Sequence, residues 1–166
     1  MPGRSRRIYF DANVFLAFVS DEPGRAAVVE EQLRQSQAGS VAVLTSTVSI
    51  AEVAYGAEEK SQQSLDVDIE ARIDGLWAPG GPVTLVEASR LVLVTARSLI
   101  RSNLALGYGR LTPLDAIHLA TALVEKVDTM ATYETNACAR WATLTGLLVT
   151  EPEVYQPPLE GAVPDS

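Results

Sequence analysis

The chain has 166 residues, 47% of them hydrophobic and 20% charged, which fits one domain with a substantial core and argues against wholesale disorder. Apolar runs such as LVLV at 91–94 fall far short of the roughly 20 residues of a membrane span, and the basic start MPGRSRR leads into a run broken by Asp11 and Asn13, a poor signal peptide. The net charge of −8 decides little, because half of it sits between Glu151 and Ser166 and eleven of the thirteen basic residues are arginines, the side chain best shaped for phosphate.

One cysteine, Cys138, allows no intrachain disulfide and no cysteine metal cage. A soluble, cytoplasmic protein with no membrane partner is expected. IYF at 8–10 reads as a short buried strand and NVFLAFV as the first helix. After the turn Asp21-Glu22-Pro23-Gly24 a helix is predicted to about Gln35, then a strand over VAVLT at 41–45. Ser46 or Thr47 would cap a helix running to about Lys60, with another over 64–77. VTLVE at 83–87 is a third strand and 88–103 a helix, followed by the loop Leu106-Gly107-Tyr108-Gly109. Thr112-Pro113 has the form of an N-cap and first helical position, opening a helix to about Lys126. TMAT at 129–132, a helix over 136–145 and LLV at 147–149 complete the series. Short strands alternating with helices imply an α/β domain, with a central, mainly parallel sheet of four or five strands between two helical layers. The domain is expected over 1–150, with 151–166 as an acidic, proline-rich, loose tail.

Four carboxylates stand out within that pattern. Asp11 follows the first strand directly, at the carboxyl edge where parallel sheets bind ligands, and reads equally well as the cap of the next helix. Glu52 lies about two turns into a predicted helix among Ile50, Ala51, Val53 and Ala54, where a solvated face is the commoner fate. Asp115 in LTPLDAIHLATAL completes a capping-box pattern from Thr112 and suits the helix dipole. His118, the chain's one histidine, lies a turn later in an apolar stretch that favours a core or supporting role. Glu134 follows the fourth strand and doubles as a turn residue before a helix capped by Thr135 or Asn136. Each signal is weak alone, but the four fall toward one sheet edge. Converging carboxylates without histidine or cysteine make a hard oxygen site suited to Mg²⁺ or Mn²⁺, and two such ions can serve phosphodiester cleavage. Arg90, Arg97 and Arg101 share one helical face that suits either solvent or a phosphate track, and Arg110, just before the Asp115 helix, is the better single candidate for phosphate.

FDANVFL (10–16), TSTVSIAEV (45–53), LTPLDAIHLATAL (111–123) and ATYETNACARWATLTGL (131–147) together resemble the PIN-domain ribonucleases, most closely the VapC toxins of bacterial VapBC modules. The resemblance spans about residues 8–149 and implies an endoribonuclease dependent on Mg²⁺ or Mn²⁺. By position, Asp11, Glu52 and Asp115 would be the core metal ligands, with Asn13, Ser46 and Thr132 supporting them through hydrogen bonds. The family usually has Asp where this chain has Glu134, so Glu134 would be the fourth ligand, with Asn136 as an alternative. The resemblance also implies a homodimer, an antitoxin entering the active-site groove, and transfer or ribosomal RNA as substrate. Two other readings are a PIN-like protein-binding module without catalysis and a phosphotransferase with Asp11 as nucleophile. The latter lacks its usual second Asp, since Asn13 stands two residues on.

Overall fold

The structure is a computed structural model and describes residues 4–156. Five strands, β1 (Arg6–Phe10), β2 (Val41–Ser46), β3 (Val83–Val86), β4 (Thr129–Ala131) and β5 (Val149–Thr150), form one sheet. They run in the order β3-β2-β1-β4-β5 and every pairing is parallel. The chain builds outward from β1 through β2 to β3, then crosses back to lay β4 on the other side of β1. The carboxyl end of β1 is therefore the topological switch point, the place where open parallel sheets bind their ligands.

Alternation along β1 divides the core in two. Ile8 and Phe10 face α1 (Ala12–Val19), α2 (Ala26–Gln37) and α5 (Val67–Trp77), among Val14, Phe15, Val29, Leu33 and Leu76. Tyr9 faces the opposite layer of α6 (Arg90–Ala105), α7 (Pro113–Val124) and α8 (Thr135–Thr145), among Val92, Leu119, Met130 and Trp141. Phe15 locks the first layer by tilting against Phe10 at 5.5 Å and meeting Trp77 edge-on at 5.1 Å between ring centroids. Such aromatic pairs add about 0.5–1.5 kcal/mol beyond the area they bury. The three-layer arrangement expected from the sequence is the observed one, with the sheet wholly parallel and five-stranded.

The single helix expected from Ser46 or Thr47 to Lys60 is two. α3 (Ser49–Glu52) has only four residues, and the backbone leaves the helical region at Val53 (φ −94°, ψ 60°). α4 (Ala57–Gln62) starts anew after Gly56. The break is fixed by Glu59, whose carboxylate turns back to accept the Gly56 N–H (3.0 Å) and the Asp66 N–H (2.7 Å). Gly56 lies so close to Ile69 that a Cβ would stand 3.3 Å from its Cδ1. Glu52 consequently ends a short helix instead of lying two turns inside a long one.

The tail expected to be loose from residue 151 is held as far as it is described. Gln32 donates to the Glu153 carbonyl, and Gln35 both donates to the Tyr155 carbonyl (2.8 Å) and accepts its N–H (3.2 Å). Arg6 lies over the Tyr155 ring, 5.9 Å from its centroid. This strap borders a cavity of about 570 Å³ beside Arg6, Ile8 and Thr129. Residues 157–166, the rest of the expected tail, lie outside the described residues.

Candidate active site

At the end of β1 the chain turns directly into α1, and Asp11 occupies the N-cap position. Its side chain makes no capping hydrogen bond, so the capping role that the sequence allowed is not taken up. Asp11 is 5% exposed, and its Oδ1 is buried without a hydrogen-bond partner among the described residues. Burial pushes its pKa up to about 7; the Thr132 hydroxyl offsets part of the rise and the Asp115 carboxylate adds to it. A buried oxygen left unsatisfied costs about 1–3 kcal/mol, more when charged, and is the kind of atom that calls for a partner from outside the chain.

The other three candidate acids are carried by different elements. Glu52, at the end of α3, places Oε2 2.6 Å from His118 Nε2. His118 Nδ1 lies 2.7 Å from the Tyr9 hydroxyl, which accepts the Ser46 N–H at 3.0 Å. His118 and Asp115 lie three residues apart on α7 and so share its inner face. Thr112 caps α7 by accepting the Asp115 N–H (3.2 Å) and donates to Asp115 Oδ2 (2.6 Å). Thr112 thus acts as the N-cap, but the reciprocal half of a capping box is not formed: the Asp115 carboxylate takes the Thr112 hydroxyl hydrogen instead of the Thr112 backbone N–H, so the same hydroxyl that starts the helix holds the carboxylate.

On the β4 side, Asn13 bridges α1 to the following loop. Its Oδ1 accepts the Tyr133 N–H (2.9 Å) and its Nδ2 donates to Thr132 Oγ1 (3.2 Å), which also accepts the Glu134 N–H (3.0 Å). Thr132 and Ser46 are fully buried, and the one described contact of the Ser46 hydroxyl is the Val48 N–H, which it accepts at 3.4 Å. Glu134 is exposed at the N-cap position of α8 and makes no side-chain cap bond, and Asn136 is exposed two residues on. The structure therefore holds Glu52 through His118 and Asp115 through Thr112, keeps Asp115 near enough to Asp11 to act on its charge, and leaves Glu134 and Asn136 at the solvent rim. The residue that sequence reasoning missed is Tyr9; a hydroxyl inside an apolar strand was the available signal, because buried tyrosines need a partner.

Arg90, Arg97, Arg101 and Arg110 are all exposed, and none pairs with a carboxylate among the described residues. The Arg110 loop is anchored by Asn103 donating to the Gly109 carbonyl (2.7 Å) and Arg140 to that of Tyr108 (3.0 Å). Among the described residues no three His, Cys, Asp or Glu side chains stand close enough to enclose a metal ion. The donor chemistry nonetheless fits a hard divalent cation, since Asp11 offers a buried, unpartnered carboxylate oxygen and its neighbours offer more oxygen. Glu52 and Asp115 are meanwhile held by His118 and Thr112. No described helix is long and apolar enough to cross a membrane.

Comparison with known proteins follows the same lines. No curated protein matches the chain by sequence. Among solved structures, VapBC2 from Rickettsia felis, bound to a DNA fragment from its promoter, superposes with a TM-score of 0.62 at 12% identity, covering 86% of this chain and 96% of that one. FitAcB from Neisseria gonorrhoeae gives 0.59 at 19% identity over 87% and 97%. VapC20 of Mycobacterium tuberculosis, described as a sarcin–ricin loop cleaving toxin, gives 0.56 at 11% over 80% and 94%. At such identities the likeness is one of fold. The PIN domain family profile matches residues 8–140, most of the chain and every acid described above. The protein belongs to the PIN-domain family.

Proposed function

We propose that the protein is a divalent-metal-dependent endoribonuclease acting as the toxin of a toxin–antitoxin pair. The observation that carries this reading is the buried Asp11 oxygen without a partner, at the switch point of a PIN sheet, with Asp115 near enough to raise its pKa. Asp11, Asp115 and Glu52 would hold the cation, with Glu134 reaching in from the rim. A bound Mg²⁺ or Mn²⁺ supplies positive charge for the phosphodiester and a lowered pKa for an attacking water. The chain's own residues do the rest. Thr112 orients Asp115, Asn13 and Thr132 fix the loop after β4, and Arg110, with Arg97, offers guanidinium groups to the flanking phosphates. Fold likeness to VapBC2 and FitAcB supports an antitoxin partner, and we extend it to a homodimer working in the cytoplasm on structured transfer or ribosomal RNA.

Incubation of purified protein with total RNA, followed by sequencing of new 5′ ends, tests the reading. Cleavage is expected with Mg²⁺ or Mn²⁺ and none with EDTA or with Asp11→Asn and Asp115→Asn proteins. Variants that cleave as fast as the wild type would refute it. A second reading, a PIN-like binding module without catalysis, draws on Glu134 in place of Asp and on the absence of a formed three-residue metal cluster among the described residues. Failure to bind Mn²⁺ at millimolar concentration in calorimetry would favour it.

A further inference from the structure

We propose that Tyr9 and His118 are positioning residues that hold Glu52 in a single orientation, by presenting the His118 Nε2–H to one carboxylate oxygen and leaving the other for a cation. This rests on the reading of Glu52 as a metal ligand. The Ser46 N–H points at Tyr9 Oη at 3.0 Å, so this oxygen is already an acceptor. Tyr9 has one hydrogen to give, and its shortest described contact is His118 Nδ1 at 2.7 Å. The flanking Thr45 and Thr121 hydroxyls give their own hydrogens to the carbonyls of Phe10 and Ile117, both at 2.7 Å. With Nδ1 occupied as an acceptor, the ring's proton resides on Nε2, where Glu52 Oε2 accepts it at 2.6 Å.

Burial makes this chain of bonds rigid. Tyr9 is wholly buried and His118 is 3% exposed, and their rings meet edge-on with centroids 5.8 Å apart. The Glu52 side chain, by contrast, keeps 23% of its surface. A buried, fully satisfied rail therefore ends on a half-open carboxylate, an arrangement suited to orienting a ligand. The rail starts from the β2 backbone at Ser46, runs through β1 and α7, and reaches α3. It thereby ties Glu52, the acid on the shortest helix, to the rigid centre of the sheet.

The single histidine of the chain makes the test direct. In full-length protein labelled with ¹⁵N-histidine, without metal, the ring should show a protonated Nε2 and an unprotonated Nδ1. Tyr9→Phe, which keeps the ring, should yield mixed tautomers. In calorimetric titration with Mn²⁺, Tyr9→Phe and His118→Leu should weaken binding about 10–100-fold, the usual effect of losing a residue that orients a metal ligand. His118→Gln, which restores an N–H donor, should recover most of the affinity. A protonated Nδ1 in the wild type, or wild-type Mn²⁺ affinity in both Tyr9→Phe and His118→Leu while Glu52→Gln binds weakly, would overturn the proposal and leave the nuclease reading standing. Equal affinity in wild type and Glu52→Gln would remove Glu52 from the metal site and overturn this proposal while the nuclease reading, carried by Asp11, stands; no binding by either would end both. If His118→Leu fails to fold by circular dichroism, Tyr9→Phe carries the comparison alone.

Discussion

Asn13 Oδ1 accepts the backbone N–H of Tyr133 at 2.9 Å, tying the first turn of α1 to the loop that leaves β4. Two segments separated by 120 residues are thereby clamped across the switch point. Thr132 completes the clamp, taking a hydrogen from Asn13 and another from the Glu134 backbone. Asn13→Ala and Thr132→Val should each lower stability by about 1–3 kcal/mol in urea denaturation, because each leaves inward-facing polar groups unpaired. Both should also loosen the loop that carries Glu134, seen as faster amide exchange at Tyr133 and Glu134.

The pH dependence of metal-free protein should carry the mark of Asp11. Its pKa rises from an ordinary 3.8 to about 7 on folding. The native state therefore binds more protons than the unfolded chain between those values, and stability falls as pH rises through that window. At about 1.4 kcal/mol per unit, the contribution is on the order of 4 kcal/mol, present in full below pH 4 and lost above pH 7. Relative to Asp11→Asn, the wild type should gain stability as pH falls from 8 to 4, measured by thermal melting with EDTA.

A cation should reverse that trend at high pH. Mn²⁺ at 100 times its dissociation constant would stabilise the wild type by about 2.7 kcal/mol, and Asp11→Asn should show little of this. A wild-type melting temperature at pH 8 that does not respond to Mn²⁺ would count against a metal site at Asp11.

Thr112 joins the helix start to the Asp115 carboxylate of the candidate site, so Thr112→Val should act on both. Loss of the cap is worth about 1 kcal/mol of stability, and release of Asp115 Oδ2 should weaken Mn²⁺ binding as well. Thr112→Ser, which keeps the hydroxyl, should restore both readouts.

Gln35 meets the backbone of Tyr155 through donor and acceptor at once. Gln35→Ala should free the strap after β5, costing about 1 kcal/mol and exposing residues 151–156 to limited proteolysis, mapped by mass spectrometry.

Much of this was readable in the chain. The alternation of short apolar strands with helices gave the layers, because a strand buried on both faces has little choice of residue type. Asp11 and Asp115 were visible because each sits at an element boundary marked by strong local signals, a strand end and Thr-Pro. The break between α3 and α4 was not visible, since Glu59 causes it by capping backwards and forwards at once, and its reach to Asp66 depends on the tertiary path. Nor did local pattern reveal Tyr9, whose partners His118 and Ser46 stand 109 and 37 residues away. The same limit applied to the strap: a proline-rich, acidic composition indicates weak burial, yet two glutamines on α2 supply the bonds that the segment cannot make for itself.

The strand order has a consequence for how the molecule opens. β1, which ends at Asp11, has two strands on one side and two on the other, whereas β5 at the rim is only two residues long. Fraying should begin at β5 and reach β1 last, since edge elements open with the least free energy. In native-state hydrogen exchange, the amides of Tyr9 and Phe10 should be among the slowest, exchanging only with global unfolding. The acid at the centre of the sheet thus resides in the part of the molecule that opens last, and partial unfolding at either edge would leave its surroundings intact.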